Sequence, residues 1–250
     1  MKKPILILAV VLFYMASYAQ SSKSDSIIFF KPQAGNLTTE LNINPFNGAV
    51  NLNNSLNQIK FRYFISAGVA LRLGFNISKE DSIYNISQPY GTTSYFYKNN
   101  KKSTTMGINL GLEKHFAGTR RLSPYVGAEV SLTNGSASQE INDNGSTTDV
   151  KNGWYEMYYT GTSTNYVAQI QPKAYVRYGV NLITGFDYYI ARHFFFGYEF
   201  GFGMEKTNWK DVEVNISGTT SGAVVNTTSD NSHLDFGPSL MNGIRLGYTF

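Results

Sequence analysis

Ten charged residues lie in segments that are otherwise apolar or glycine-rich, each on the polar side of an alternating pattern. They are Glu40, Glu113, Glu129, Asp187 and Glu199, with Lys60, Arg62, Arg72, Arg177 and Arg245. Charged side chains that are enclosed within a protein need partners of opposite charge. The nearly equal numbers of acidic and basic residues therefore predict an ion-pair network. This network could be a structural plug or a path for protons or ions. We favour the plug.

The three histidines are the other candidates for chemistry, because histidine serves both hydrolysis and metal binding. His115 precedes a short predicted turn, His193 lies in another, and His233 stands near Ser232 and Asp235 in a long polar segment. The chain has no cysteine, and no His or carboxylate pair has the spacing of metal ligands. We therefore expect no catalytic residue, no cofactor and no metal site.

Aromatic residues that follow Gly153 indicate surface recognition. Trp154, Tyr155, Tyr158 and Tyr159 lie close together in a long polar segment. Amphipathic rings of this kind anchor interfaces and stack on sugars. We predict a contact surface here, although a hairpin that continues above a membrane, or a girdle of aromatics at its interface, would explain the same residues.

The elements that must position these residues are β-strands, in which successive side chains point to opposite faces. Over residues 196–203 the even positions are aromatic, and the odd positions are glycine or glutamate. A membrane barrel produces this pattern because one face meets lipid and the other meets the lumen. We predict eight strands near residues 33–44, 57–65, 69–80, 103–116, 124–134, 173–190, 194–206 and 237–250.

The connections between these strands alternate between short and long. The short ones are 66–68, 117–123 and 191–193, and the long ones are 45–56, 81–102, 135–172 and 207–236. The predicted fold class is all-β, an eight-stranded antiparallel up-and-down transmembrane β-barrel with periplasmic termini and extracellular long loops. A further hairpin in the third long loop would make ten strands, and a soluble lipocalin-like barrel would turn its apolar face inward.

The first residues indicate export. Lys2 and Lys3 precede an apolar run, and small residues follow where a signal peptidase cuts. We predict a cleaved signal peptide over residues 1–19, a short periplasmic segment over 20–32 and the barrel over 33–250. Without the two lysines, 19 basic and 17 acidic residues remain. No basic patch supports a nucleic-acid partner, and later apolar stretches are too interrupted for a membrane helix.

The C-terminal sequence Gly-Tyr-Thr-Phe, which ends at Phe250, resembles the insertion signal of outer-membrane barrels. With the runs at 61–65, 69–74 and 182–190, the chain resembles Bacteroidota-type barrel proteins, similar in architecture to the OmpA and OmpX transmembrane barrels. The resemblance implies the outer membrane of a Gram-negative bacterium and recognition by barrel-insertion machinery. The sequence ends at Phe250, so we expect no peptidoglycan-binding periplasmic domain. Two Asp-Ser-Ile triplets resemble Bacteroidota O-glycosylation acceptors and imply sugar at Ser82 or Ser26.

The expected function is that of a non-enzymatic cell-envelope protein. We expect a structural or adhesive surface protein, or an accessory subunit of a larger outer-membrane complex, in contact with membrane lipid and lipopolysaccharide. A small pore or transporter for small solutes is the alternative, and an outer-membrane hydrolase is a weaker one.

Overall fold

The computed structural model describes residues 30–43, 56–91, 93–159, 166–218, 224–227, 231–240 and 244–250. Its strands are β1 (Leu37–Ile43), β2 (Leu56–Ser66), β3 (Val69–Gln88), β4 (Tyr95–His115), β5 (Leu122–Asp143), β6 (Ser146–Lys151), β7 (Gly153–Tyr159), β8 (Tyr166–Pro172), β9 (Tyr175–Tyr189), β10 (Phe194–Trp209), β11 (Val212–Ser217), β12 (Val224–Thr227), β13 (Ser232–Leu240) and β14 (Ile244–Thr249). None of the described residues forms a helix long and apolar enough to cross a membrane. The predicted signal peptide and most of the segment 20–32 lie outside the described residues.

Eight strand positions close into an antiparallel ring. Neighbours pair in the order β1, β2, β3, β4, β5, β9 and β10, and β14 pairs with both β10 and β1 to close the ring. Strand β13 pairs with β10 further along, so β13 and β14 share the eighth position. The all-β, eight-stranded antiparallel barrel predicted from the alternation is confirmed.

The two faces of the ring have opposite character. Outward side chains are apolar and exposed, for example Leu110 at 52%, Leu182 at 62% and Phe194 at 58%. Inward side chains include charged residues that are almost completely enclosed, such as Glu113 at 1% and Asp187 at 0%. This arrangement is the inverse of a lipocalin-like barrel and suits a wall that faces lipid.

The short connections lie together at one end of the ring, called the turn end here, and the other end is the hairpin end. At the turn end the side-chain amide of Asn36 donates to the carbonyl oxygen of Phe250 at 2.9 Å, which joins the start and end of the ring. Tyr248 packs between the Phe194 and Phe250 rings, with both centroids 4.9 Å away. Aromatic residues in such positions are typical of a membrane interface.

Strands β3, β4 and β5 are longer than the alternation predicted. The prediction that residues 81–102 form a loop is therefore wrong. Strand β3 continues to Gln88 and β4 begins at Tyr95, with an unbroken register from Val69 opposite Lys114 to Gln88 opposite Tyr95. Residues 79–88 of β3 and 95–102 of β4 are mostly polar, so the alternation of apolar and polar residues weakens there. Backbone hydrogen bonds continue because they do not depend on the side chains.

The predicted loops at 135–172 and 207–236 are also largely β-structure. Strands β5, β6, β11 and β12 continue the sheet beyond the ring, and β7 pairs with β8 as a separate hairpin. Val150, Val212 and Val214 form a small buried core, against which Tyr155 and Ile170 of the hairpin pack. These extra hairpins lie outside the ring, which keeps eight strand positions rather than ten.

Close packing inside the ring predicts a specific stability difference between two glycine variants. A Cβ atom at Gly111 would lie 2.6 Å from the Ala128 carbonyl oxygen and 2.9 Å from Arg72 Cγ, whereas a Cβ atom at Gly237 meets nothing within 4 Å. We expect Gly111→Ala to lower the free energy of unfolding by about 1–3 kcal/mol and Gly237→Ala to change it by less than about 0.5 kcal/mol. Urea unfolding of the refolded barrel measures both, and equal effects would contradict this packing.

Candidate functional site: the ion-pair plug and the outer hairpin

All eight strand positions contribute a charged side chain to the lumen. The structure brings together nine of the ten charged residues considered above: Glu40, Lys60, Arg62, Arg72, Glu113, Glu129, Asp187, Glu199 and Arg245. Each is at most 9% exposed. We call this set the plug. It contains four basic and five acidic residues, so its formal charges nearly cancel.

Glycines opposite the charged residues make room for the long side chains. In the strand register eight of the nine plug residues have a glycine beside them on a neighbouring strand: Gly74 beside Lys60, Gly111 beside Arg72 and Glu129, Gly127 beside Glu113, Gly185 beside Glu199, Gly197 beside Asp187 and Arg245, and Gly247 beside Glu40. Arg62 instead lies between Thr38 and Arg72. A larger residue at these places would occupy the space into which the arginine and glutamate side chains extend.

Two arginines organise the part of the plug nearer the turn end. Arg62 lies 2.5 Å from Glu40, 2.7 Å from Asp187 and 3.0 Å from Glu113, measured from guanidinium nitrogen to carboxylate oxygen. Arg245 lies 3.0 Å from Glu40 and 2.6 Å from Asp187. Glu40 and Asp187 therefore each bridge both arginines, so the four residues form a closed ring of ion pairs.

A second group of contacts forms the adjoining layer. Arg72 nitrogens lie 2.6 Å from Glu113, 3.1 Å from Glu129 and 3.0 Å from Glu199. The Lys60 ammonium lies 3.0 Å from Glu199. Because Glu113 contacts arginines of both layers, the layers form one network. Each buried charge of the plug thus lies within ion-pair distance of an opposite charge, as enclosed charges require.

Aromatic residues that sequence reasoning missed complete the turn end of the lumen. Phe64, Tyr125, Tyr189 and Phe195 are each at most 2% exposed. The Arg62 guanidinium lies 5.1 Å from the centroid of the Phe195 ring, and the Tyr125 hydroxyl donates to Glu199 at 2.8 Å. The signal was present, because each of these aromatics occupies the charged rather than the apolar side of its strand.

His115 lies in a chain of contacts that resembles a serine–histidine–carboxylate arrangement. Its Nδ1 is 3.0 Å from Ser123 Oγ and its Nε2 is 3.1 Å from Glu113 Oε2. All three residues are at most 6% exposed, and Glu113 is also bound by Arg62. The three side chains are enclosed together with the plug, and their contacts belong to its packing.

The other two histidines lie away from the plug. His193 donates from Nδ1 to the carbonyl oxygen of Thr249 at 2.7 Å. His233 lies 2.9 Å from Asp235, with both side chains more than 60% exposed. Among the described residues, no three His, Asp or Glu side chains are grouped so that they could hold a metal ion.

Arg177 is not part of the plug, which corrects the sequence prediction. It lies on the inward side of β9, but its guanidinium is 3.6 Å from Glu205, and both side chains are more than a third exposed. Ten residues separate Arg177 from Asp187 along β9, or about 33 Å of strand. The alternation therefore correctly predicted that Arg177 faces the lumen, but not that it lies far from the plug along the strand.

The predicted contact segment forms the β7–β8 hairpin, and its aromatics divide between two faces. Tyr155 packs on the valine core, and its backbone N–H donates to Gln139 Oε1 at 2.7 Å. Trp154 and Tyr158 lie on the opposite face of β7, while the side chain of Tyr159 lies outside the described residues. Of the three predicted residues whose side chains are described, Trp154 and Tyr158 therefore share one face of β7, where Trp154 is half-buried and Tyr158 is exposed.

Charged groups surround Trp154. The ammonium groups of Lys101 and Lys173 lie 4.9 and 4.5 Å from the centroid of its ring. Glu156 accepts hydrogen bonds from Lys101 and from the Tyr158 hydroxyl. These two hydrogen bonds, that of Lys101 first, hold the pKa of the Glu156 carboxyl below its usual value.

Of the two predicted glycosylation sites, one can be placed. Ser82 is exposed on β3, beyond the part of that strand that pairs with β2. Ser26 lies outside the described residues. Glycosylation at either serine stays a prediction.

A closed ring of antiparallel strands with an apolar outer wall and a charged interior is the architecture of outer-membrane β-barrel proteins. A family model matches residues 42–204, and the chain belongs to that family, the OmpA-OmpF-like porin family. It is therefore a porin-family barrel of the outer membrane.

Two solved structures are similar to the chain. The N-terminal β-barrel domain of Pseudomonas aeruginosa OprF has 14% identity and a TM-score of 0.32, covering 88% of this chain and 100% of that one. The outer membrane protein OprG from Pseudomonas aeruginosa has 13% identity and a TM-score of 0.36, covering 89% of this chain and 99% of that one. No curated protein matches the sequence.

Removal of one plug arginine is predicted to be costly. Arg62→Met removes one of the two arginine partners of Glu40, Asp187 and Glu113 and leaves three basic against five acidic residues in the plug. We therefore expect a loss of about 3–5 kcal/mol in the free energy of unfolding. Arg177→Met removes a partly exposed pair and should cost about 0–1 kcal/mol. Urea unfolding in lipid vesicles measures both variants, and similar costs would show that the plug does not stabilise the barrel.

The lowered pKa of Glu156 predicts how the hairpin responds to acid. A carboxyl whose folded pKa is lowered stabilises the fold above its unfolded pKa, and this contribution is lost as the pH falls through the folded pKa. With Trp209→Phe, Trp154 is the one remaining tryptophan, and its fluorescence should change at a pH below about 4.3, the usual glutamate value. Glu156→Gln should remove this transition. A midpoint at or above that of free glutamate would contradict the assignment.

Proposed function

We propose that this protein is a non-conducting surface barrel that acts through the rigid β-structure beyond its membrane ring. The observation that carries the proposal is the plug, together with the enclosed aromatic residues Phe64, Tyr125, Tyr189 and Phe195 at the turn end of the lumen. An eight-stranded barrel has an interior just wide enough for side chains to fill it. Nine enclosed charged side chains, joined by contacts of 2.5–3.4 Å, fill the lumen at the level of the plug.

The length of the strands supports a role outside the membrane. Strands β3, β4 and β5 have 20, 21 and 22 residues, whereas a tilted membrane strand needs about 9–11. About ten residues of each therefore extend beyond the membrane, or roughly 30 Å of strand. The sheet of β5, β6 and β11 and the β7–β8 hairpin add to this structure, so a large, ordered surface stands at the hairpin end.

The orientation that we propose places the hairpin end outside the cell and the turn end, with both termini, in the periplasm. Short periplasmic turns and long extracellular segments are the usual arrangement in bacterial barrels. The connections at the turn end, 67–68, 116–121 and 190–193, are all short. A Bacteroidota-type origin is part of the same proposal and is supported by the sequence resemblance.

The partners that we propose follow from this orientation. Lipid and lipopolysaccharide would contact the apolar wall, insertion machinery would recognise the C-terminal strand, and the outer surface would contact a larger envelope complex or an external surface. A solute pore is less well supported, because it needs a gap through the plug. A hydrolase is less well supported too, because Ser123 and His115 are enclosed.

Replacement of the β7–β8 hairpin tests the proposed role. A variant in which Asn-Gly replaces residues 153–172 should still fold, because the plug and the ring pairing are unchanged, and should migrate as a heat-modifiable barrel on gels. We expect it to lose attachment of whole cells to surfaces, or the stoichiometric partners identified by mass spectrometry after mild-detergent purification. Lys151→Ala on the neighbouring strand is the control. A folded hairpin variant that retains both properties would refute the proposal.

A further inference from the structure

The described residues of the turn end carry basic side chains and no acidic ones. The connections at this end, the segment before β1 and the end of β4 contribute five cations: Lys31, Lys114, Arg120, Arg121 and Arg192. We call these five residues the basic rim. The neighbouring carboxylates of Glu113 and Asp187 are enclosed in the plug, so they do not neutralise the basic rim.

The basic rim lacks the ion pairs that exposed charges form elsewhere in the molecule. Lysines at the hairpin end pair with carboxylates, as Lys79 does with Asp81 at 2.9 Å and Lys151 with Glu213 at 3.0 Å. Within the described part of the chain, no member of the basic rim has a carboxylate at ion-pair distance. Like charges that gather without a counter-charge attract anions.

Contacts with the segment before β1 hold three of these cations around one turn. The guanidinium carbons of Arg120 and Arg121 lie 4.9 and 4.3 Å from the centroid of the Phe30 ring. The Lys31 ammonium donates to the carbonyl oxygen of Ala117, which lies in the same connection as both arginines. A ring or a carbonyl oxygen therefore positions each cation, and its charge stays uncompensated.

Lys114 connects the basic rim to the lipid-facing wall. It lies on the outward face of β4, beside Val69 and Val126 in the strand register. Its ammonium nitrogen is 3.4 Å from the position that a Cβ atom at Gly68 would occupy, in the connection between β2 and β3. A lysine whose stem lies on an apolar surface while its ammonium reaches the membrane interface is snorkelling. The Lys114 cation therefore lies at the level of lipid head groups.

An apolar groove in the outer wall adjoins Lys114. It crosses β4, β5, β9 and β10, and its lining includes Leu112, Lys114, Val126, Leu182, Phe200 and Phe202. Thr184 lies between Val126 and Phe200 in the register, and its short side chain leaves a depression among larger ones. The Thr184 hydroxyl donates to the carbonyl oxygen of Tyr125 at 3.2 Å, so it is already satisfied. The groove thus offers an apolar surface with an ammonium group at one end.

An amphiphile with a negative head group matches both features. A hydrocarbon chain would bury apolar surface in the groove, and a phosphate would interact with Lys114 and other cations of the basic rim. A soluble acidic protein would match the cations but not the groove. A lipid without net charge would match the groove but not the excess of cations.

We propose that the turn end binds an anionic phospholipid of the periplasmic leaflet, with its phosphate at the basic rim and an acyl chain in the groove beside Lys114. This inference rests on the proposed function, because it requires the turn end to face the periplasm. It adds the class of lipid and the residues that recognise it.

Native mass spectrometry of the full-length refolded barrel in detergent tests the proposal. The probes are phosphatidylglycerol and phosphatidylethanolamine with the same acyl chains, lipid A, and glycerophosphoglycerol, which is the head group without chains. We expect a saturable complex with phosphatidylglycerol that is at least about tenfold tighter than that with phosphatidylethanolamine. Glycerophosphoglycerol should bind at least about tenfold more weakly than the lipid, because no chain enters the groove.

Glutamine variants connect the head-group preference to the basic rim. Lys114→Gln combined with Arg120→Gln should reduce the preference for phosphatidylglycerol by about tenfold or more. Lys79→Gln combined with Lys151→Gln removes two exposed lysines at the hairpin end and should leave the preference unchanged. Heat-modifiable migration establishes that each variant is folded.

Tryptophan variants connect the acyl chain to the groove. Val126→Trp places a large ring in the groove and should weaken the binding of both phospholipids. Val130→Trp is the matched control, because Val130 lies on the outward face of the same strand but does not line the groove. It should bind both phospholipids normally.

Equal binding of the two phospholipids would overturn the inference, and so would a preference that the Lys114→Gln, Arg120→Gln variant retains. Binding of glycerophosphoglycerol as tight as that of the lipid, or normal binding by Val126→Trp, would refute the acyl-chain site. Tighter binding of lipid A than of phosphatidylglycerol would refute the choice of leaflet. Absence of lipid preference with normal hairpin-dependent attachment of cells would refute this inference alone. Lipid preference without hairpin-dependent attachment would refute the proposed function alone.

Discussion

The pairing of enclosed charges is the constraint on which the rest of this structure depends. An eight-stranded ring leaves room only for side chains, and an unpaired charge in that space would cost several kcal/mol. The plug meets this constraint by drawing a charged residue from every strand position, so that Arg62, Arg72 and Arg245 each contact three carboxylates. Glycines opposite the charges, such as Gly111, follow from the same requirement, since long side chains need room across a narrow lumen.

Sequence alternation was enough to predict the ring and the face of each plug residue, because one side of every membrane strand must be apolar. It could not predict depth, as Arg177 demonstrates: the period of two is the same along the whole strand. Nor could it predict the full length of β3, since polar side chains continue a strand that only backbone hydrogen bonds reveal. The division of Trp154 and Tyr155 between two faces depends on the valine core, which forms between segments distant in sequence.

The two ends of the molecule differ in structure within one continuous sheet. The plug and the enclosed rings of Phe64, Tyr125, Tyr189 and Phe195 occupy the lumen towards the turn end, while β4 and β5 continue without a break from the ring into the outer structure. Membership of the OmpA-OmpF-like porin family gives the architecture and the outer membrane, but the interior shape decides whether such a barrel conducts. The tightly paired lumen and the large outer surface are the observations on which we propose recognition rather than transport.

The most direct test of this account is the ion conductance of the purified, refolded barrel in planar lipid bilayers at high salt. The paired plug predicts no conductance steps above those of protein-free detergent controls, at either polarity of the applied voltage. Reproducible steps of constant size, whose amplitude rises in proportion to salt concentration, would mean that water and ions cross the plug. In that case the charges of Arg62, Arg72 and Glu199 would line a path instead of closing one.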